Sequence, residues 1–170
     1  GLSAAEHHED ALAVREADLS MMRRLGAPHE HVLGIQGNLA NTYERAGRTE
    51  QALNMKRDLY FGWSRFCGEE HENTLSAAFN YATSLGKLKH YKEAKGLLLR
   101  NIPVARRILG EGHKITLKMR WTYATALYMD PAATLDDLRE AVATLEDAER
   151  TARRVFGGTN PLTQGIEFNL

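Results

Sequence analysis

The sequence predicts an all-α fold, an α–α superhelix of stacked antiparallel helix pairs that is open at both ends. Three observations predict it. First, one junction recurs four times in the 170 residues: Arg23-Arg24-Leu25-Gly26-Ala27-Pro28-His29, Arg65-Phe66-Cys67-Gly68-Glu69-Glu70-His71, Arg107-Ile108-Leu109-Gly110-Glu111-Gly112-His113 and Arg154-Val155-Phe156-Gly157-Gly158-Thr159-Asn160. The four glycines are 42, 42 and 47 residues apart, and self-similarity at such a period marks a repeat architecture. Second, apolar residues inside each unit fall at three- and four-residue steps, as in Leu33, Leu39, Ala40 and Tyr43 or Ala94, Leu97, Leu98, Ile102 and Ala105, which is helical periodicity. Third, the β-branched alternation of strands is absent.

The elements follow in order. A half-unit helix is expected at about 8–24, then pairs at 29–46 and 49–66, 71–88 and 91–108, 113–129 and 134–155, with a last helix from about 160. Each helix before a junction glycine should stop there, because glycine tolerates a left-handed backbone. The arginine three residues earlier lies near a helix C-terminus, where cations are favoured. Pro28 and Pro161 suit the first turn of a following helix. Pro131 opens a five-residue insertion in the third unit, Asp130 to Thr134, and Thr134 with Asp137 reads as a capping box. Pro103 lies inside a predicted helix and should kink it near Ile102. Register continues through Leu33, Leu75 and Leu117, through Ala40, Ala82 and Ala124, and through Ala52, Ala94 and Ala141. Small residues at fixed points let paired helices approach to about 8–10 Å. One unit cannot bury its apolar face alone, but stacked units share a continuous core.

Composition narrows the function classes. The chain has 22 basic and 22 acidic residues and 43% hydrophobic residues. A general nucleic-acid binder needs a surplus of positive charge, so none is expected. No apolar run is long enough to span a membrane. Cys67 is the single cysteine, which favours an intracellular setting, cytoplasmic by default. Cys67 replaces Leu25, Leu109 and Phe156 of the other junctions and reads as a buried structural thiol. Nucleotide-binding glycine loops and the nucleophile-elbow motif are missing, so no enzyme and no cofactor are expected. His29, His71 and His113 are in register, hence on neighbouring units about 10 Å or more apart, whereas zinc holds its ligands at about 2 Å. They are expected to serve the turns rather than a metal. The clusters His7-His8-Glu9 and His29-Glu30-His31 have no correctly spaced partner.

At this point a family resemblance becomes specific. A small residue at 40, 82 and 124, Tyr43, Leu85 or Leu127 three later, and Ala52 or Ala94 twelve later resemble the tetratricopeptide repeat (TPR), whose ordinary unit is 34 residues. The unit here is 42, and eight extra residues add about one helical turn per helix. With the Leu-Gly-x-x-His junction and Asn38-Leu39-Ala40-x-x-Tyr43, the sequence is similar to the kinesin light chain branch. The units would be a half repeat at 8–24, repeats at 25–66, 67–108 and 109–155, and a partial repeat at 156–170. They form a single array, expected to be a piece of a longer one. The third unit departs from the pattern with Thr122 where Asn38 and Asn80 stand in the others.

The resemblance implies a concave groove lined by the first helix of each unit. Its positions would be Gly37, Asn38, Asn41 and Arg45; Phe79, Asn80, Thr83 and Lys87; Trp121, Thr122, Thr125 and Met129; then Phe168 and Asn169. In that family asparagines in these rows grip the backbone of an extended peptide, which assigns the role to Asn38, Asn80 and Asn169. A primary amide both donates and accepts, as a peptide backbone requires. Phe79, Trp121 and Phe168 would supply anchor pockets. The alternatives are that Asn38 and Asn80 make inter-helix hydrogen bonds and that Phe79 and Trp121 are simply core. Charge is unevenly spread: residues 1–85 carry a net −4, 86–120 a net +8 and 121–170 a net −4. The basic middle, including Lys87, Lys92, Lys95, Arg106, Arg107, Lys118 and Arg120, reads as a docking patch for an acidic partner, or as a solvated face balanced by acidic neighbours. The expected function is a non-catalytic module that binds a protein or peptide. The alternative is a structural subunit docking through its convex face and ends.

Overall fold

The computed structural model describes residues 2–169, with side chains described from Leu12 onward. Within them are eight helices and no strand: α1 (Leu2–Arg24), α2 (His29–Arg45), α3 (Thr49–Cys67), α4 (Glu72–Lys87), α5 (Tyr91–Ile108), α6 (Lys114–Met129), α7 (Leu135–Phe156) and α8 (Pro161–Glu167). Boundaries agree with the repeat register to within a residue or two. The exception is α1, which begins at Leu2 and not near 8. The His7-His8-Glu9 cluster lies outside the described side chains. The chain divides into two compact units, Gly1–Ala77 and Ala78–Leu170.

In the first unit α2 packs against both α1 and α3. Leu12, Leu19, Val32, Leu39, Tyr43 and Ala52 form its main core, with Leu33, Ala40 and Leu59 as a second cluster. The Tyr43 hydroxyl donates to the Glu16 carboxylate. Burial, and then that bond, pushes the Tyr43 pKa up to about 12. Lys56 is buried and meets Glu44 at 2.6 Å, because a buried ammonium needs a partner. A Cβ at Gly62 of α3 would lie 2.6 Å from Leu33 Cδ2, so the close crossing of α2 and α3 depends on that glycine.

In the second unit α6 packs against α5 and α7, and α8 closes on α7. Leu85, Leu98, Leu117, Met119, Leu127, Leu145 and Ile166 are fully buried. The in-register alanines 82, 94, 124 and 141 are buried as well. Tyr123 is held above the ordinary tyrosine range by burial and by its 2.8 Å bond to Glu140. Pro103 does not end α5. Its ring removes the bond to the carbonyl of Leu99, but both residues are exposed, so water can serve that carbonyl.

The junctions explain the histidines. His71 Nδ1 accepts from Asn73 N at 3.1 Å and His113 Nδ1 accepts from Ile115 N at 3.3 Å. Asn160 Oδ1 accepts from Leu162 N at 2.9 Å in the same place. The ring nitrogen thus performs the capping that an asparagine oxygen performs elsewhere. His29 departs: Pro28 is the cap of α2, with no side-chain bond, and the His29 ring packs 5.5 Å from Phe66. All four junction glycines have positive φ. For Gly68 (φ 88°, ψ 169°) and Gly157 (φ 83°, ψ 165°) the conformation is extended and glycine-specific, not the left-handed helical one expected. Thr134 and Asp137 form the capping box. Cys67 is only partly buried, not the fully enclosed thiol expected; its Sγ donates to Trp63 O at 3.2 Å and lies 3.5 Å from Thr74 Oγ1.

Candidate functional site

The second unit contains a cleft of about 480 Å³ between α4 and α6. Helical spacing builds both walls. Phe79, Thr83, Gly86 and Lys87 share one face of α4, while Lys118, Trp121, Thr122, Thr125 and Met129 share one face of α6. Ala126 of α6 and Tyr91, at the start of α5, complete the lining. Seven residues assigned from the groove pattern therefore meet here: Phe79, Thr83, Lys87, Trp121, Thr122, Thr125 and Met129.

The chemistry is an apolar trough with two cations. Lys118 Nζ stands 5.5 Å from the Phe79 ring centroid, within cation–π range. Lys87, at the last turn of α4, is exposed. Thr83 and Thr125 donate their hydroxyl protons to the carbonyls of Phe79 and Trp121, at 2.9 and 3.0 Å, so what their oxygens still offer is acceptor capacity. Trp121 is fixed from behind: a Cβ at Gly165 of α8 would stand 2.7 Å from its ring. Phe79 and Trp121 are half-buried, neither wholly core nor wholly displayed.

Other assigned residues lie apart from this cleft. Asn80 is exposed on α4 and outside the lining. Asn38, Asn41 and Arg45 are exposed on α2 in the first unit, and none lines the cleft. Asn38 and Asn80 make no inter-helix side-chain bond among the described residues, so their exposure rather than pairing is what α2 and α4 offer. Asn169 accepts from the Tyr128 hydroxyl at 2.7 Å and donates to Gly165 O at 2.7 Å, which ties most of its amide to its own unit. Phe168 is 91% exposed and does not line the cleft.

The basic set also divides. Lys95 reaches Asp130 at 3.1 Å and Asp137 at 3.9 Å. The Ala132 amide and then Lys95 hold the Asp130 carboxyl below the ordinary range. Arg106 meets Glu111 at 2.5 Å. Arg120 is 5% exposed and bonded to Asp147 at 2.6 Å, so it is a core residue and not part of a display surface. Lys92 and Arg107 are exposed on α5. Of the seven, only Lys87 and Lys118 line the cleft. Sequence reasoning overlooked Gly86, Tyr91 and Gly165; Gly86 lies seven residues after Phe79 and was legible by spacing, whereas Tyr91 and Gly165 come from other helices.

No family model and no curated protein matches the chain. Solved structures do. BtubC (BKLC) from P. vanneervenii matches with a TM-score of 0.81 and 17% identity, over 96% of this chain and 64% of that one. The fold is that of the TPR-like repeat. A kinesin light chain-type protein of Podosopora anserina, with nearly identical TPR-like repeats, shares the TPR-like fold at a TM-score of 0.75 and 17% identity, over 94% of this chain and 74% of that one. A single-site variant of it gives 0.77 and 19%, with the same coverage. The TPR-like chain thus spans 64% of the length of BtubC. Among its described residues no helix is long and apolar enough to cross a membrane.

Proposed function

We propose that this TPR-like chain is a non-catalytic interaction module, and that the α4–α6 cleft takes an extended segment of a partner protein. The observation that carries the reading is the cleft itself. About 480 Å³ of mostly apolar space is bounded by Phe79, Trp121 and Met129 and flanked by Lys87 and Lys118. An apolar side chain fills such a trough, and carboxylates beside it meet the two ammonium groups. The walls are helices packed on a core, so little ordering of the receptor opposes binding. Asn80 is exposed next to Phe79 and outside the lining, and its amide, which both donates and accepts, supports a role in bonding the backbone of a segment that extends beyond the cleft.

The test is a titration with acidic peptides that carry one large apolar residue, read by isothermal titration calorimetry. Trp121→Ala and Lys118→Gln should each weaken binding at least tenfold. Undiminished binding by both variants refutes the cleft assignment. A second reading, a structural subunit, is favoured by exposed apolar residues on α1 (Val14, Met21), at Leu25 just after it, and on α7 (Leu135, Leu138, Val142). Stripes of this size in a soluble protein are commonly partner surfaces. Concentration-dependent association without peptide binding would select that reading.

A further inference from the structure

A second cleft, of about 470 Å³, lies at the C-terminal ends of α5 and α7 and shares no residue with the first. Arg106, Glu111, Asp147, Arg150, Thr151 and Arg154 line it. Its charges form a chain. Arg106 Nε bonds Glu111 at 2.5 Å, Arg120 stands 3.7 Å from the same carboxylate, Arg120 bonds Asp147 at 2.6 Å, and Asp147 meets Arg150 at 3.4 Å. The chain begins and ends on exposed arginines. Arg154 adds a further guanidinium that makes no ion pair among the described residues. Three lining arginines therefore meet two carboxylates, and with the buried Arg120 that pairs with both carboxylates the network carries an excess of two positive charges.

Two further facts say the network is unfinished. Arg120 is 5% exposed, and its Nη1 has no hydrogen-bond partner among the described residues. That nitrogen is held only by the 3.7 Å ion pair to Glu111. The outward Arg106 and Arg150 each commit one nitrogen to a carboxylate, while a guanidinium offers five N–H groups in a planar fork. Glu111 and Asp147, which also line the cleft, each hold one of these forks. A phosphate monoester carries a charge of about −1.5 to −2 and three strong acceptor oxygens, which matches both the charge excess and the spare donors. Bidentate arginine–phosphate pairing is the geometry such forks favour.

We propose that the α5–α7 cleft binds a phosphate monoester on a phosphorylated segment of a partner protein, with Arg106, Arg150 and Arg154 as its ligands. The cleft is open and polar, as suits a side chain presented on a mobile segment. The site stands whether or not the α4–α6 cleft binds peptide.

The experiment follows the side-chain Nε–Hε resonances of the arginines by NMR. Three probes are used: inorganic phosphate at constant ionic strength, a Gly/Ser-rich peptide with one phosphoserine beside its unphosphorylated twin, and vesicles containing phosphatidylinositol 4-phosphate. Phosphate is expected to shift Arg106, Arg150 and Arg154 saturably. The phosphopeptide should bind at least tenfold more tightly than its twin. Arg150→Gln with Arg154→Gln should abolish the difference, and Arg154→Lys, which keeps charge and fold but loses the fork, should reduce it severalfold. Trp121→Ala should leave it unchanged. Equal binding of the two peptides, or no saturable shift with phosphate, overturns the proposal. Preference for the vesicles over the phosphopeptide overturns the assignment to a protein segment.

Discussion

His113 and Asn160 cap their helices with different atoms at the same place in the repeat. The equivalence predicts that His113→Asn is neutral, whereas His113→Ala costs about 1 kcal/mol, the usual worth of a lost N-cap; chemical denaturation checks both. Lys89 offers the opposite test. Its φ is 63°, at the position where the first unit has Gly47 with φ 75°. A side chain there is strained by about 1–2 kcal/mol, so Lys89→Gly should raise stability by about 1 kcal/mol. Tyr43 adds a pH signature. Its folded pKa is raised to about 12, so the unfolded chain loses that proton first, near pH 10. The tyrosine's contribution is complete below pH 10 and is lost as pH rises from 10 to 12. The melting temperature of the wild type should fall more steeply over that window than that of Tyr43→Phe. Parallel slopes would show that neither burial nor the Glu16 bond raises the Tyr43 pKa in the folded chain. These three residues also show what sequence could yield. The in-register histidines announced a role at the turns. The positive φ at Lys89 was invisible, because lysine gives no sign of it.

At the scale of elements, crossings are set by glycines. Gly62 lets α3 meet Leu33 of α2, and Gly165 lets α8 meet the ring of Trp121. Leu33 is buried and has little room to move, so Gly62→Ala should cost about 1–3 kcal/mol by overpacking, read from denaturant midpoints. Gly165→Ala presses on a rigid ring in the cleft wall. It should change the fluorescence of Trp121 and weaken the peptide ligand without unfolding the chain. The helices and their order were legible in the sequence because apolar period, junction glycine and small-residue register all agreed. The cleft was legible in part. Phe79, Thr83, Lys87, Trp121 and Thr125 lie at fixed repeat positions, while Asn169 carries the expected residue type but spends its amide on Tyr128 and Gly165. Register places a residue on a face; it does not reveal whether a neighbour has already taken its hydrogen bonds.

At the scale of the whole molecule, a neutral total charge conceals an uneven one. The +8 of residues 86–120 is partly consumed internally, by Asp130 and Asp137 at Lys95 and by Glu111 and Asp147 at Arg106 and Arg120. Lys87 and Lys118 line the α4–α6 cleft. Exposed charges are screened within about 10 Å at 0.1 M salt. An acidic peptide should therefore bind the wild type with a marked salt dependence, and Asn80→Ala with Lys87→Gln should both weaken and flatten it. A salt-independent affinity in the wild type would remove the electrostatic part of the reading. The unequal period has an outcome of its own. The five residues inserted in the third unit supply Asp130, which grips Lys95, and Thr134, which caps α7. Deleting them to restore the 42-residue spacing would strand a half-buried ammonium on α5 and uncap the 22-residue helix that follows. The 47-residue spacing is thus held by contacts that a uniform 42-residue unit would lack.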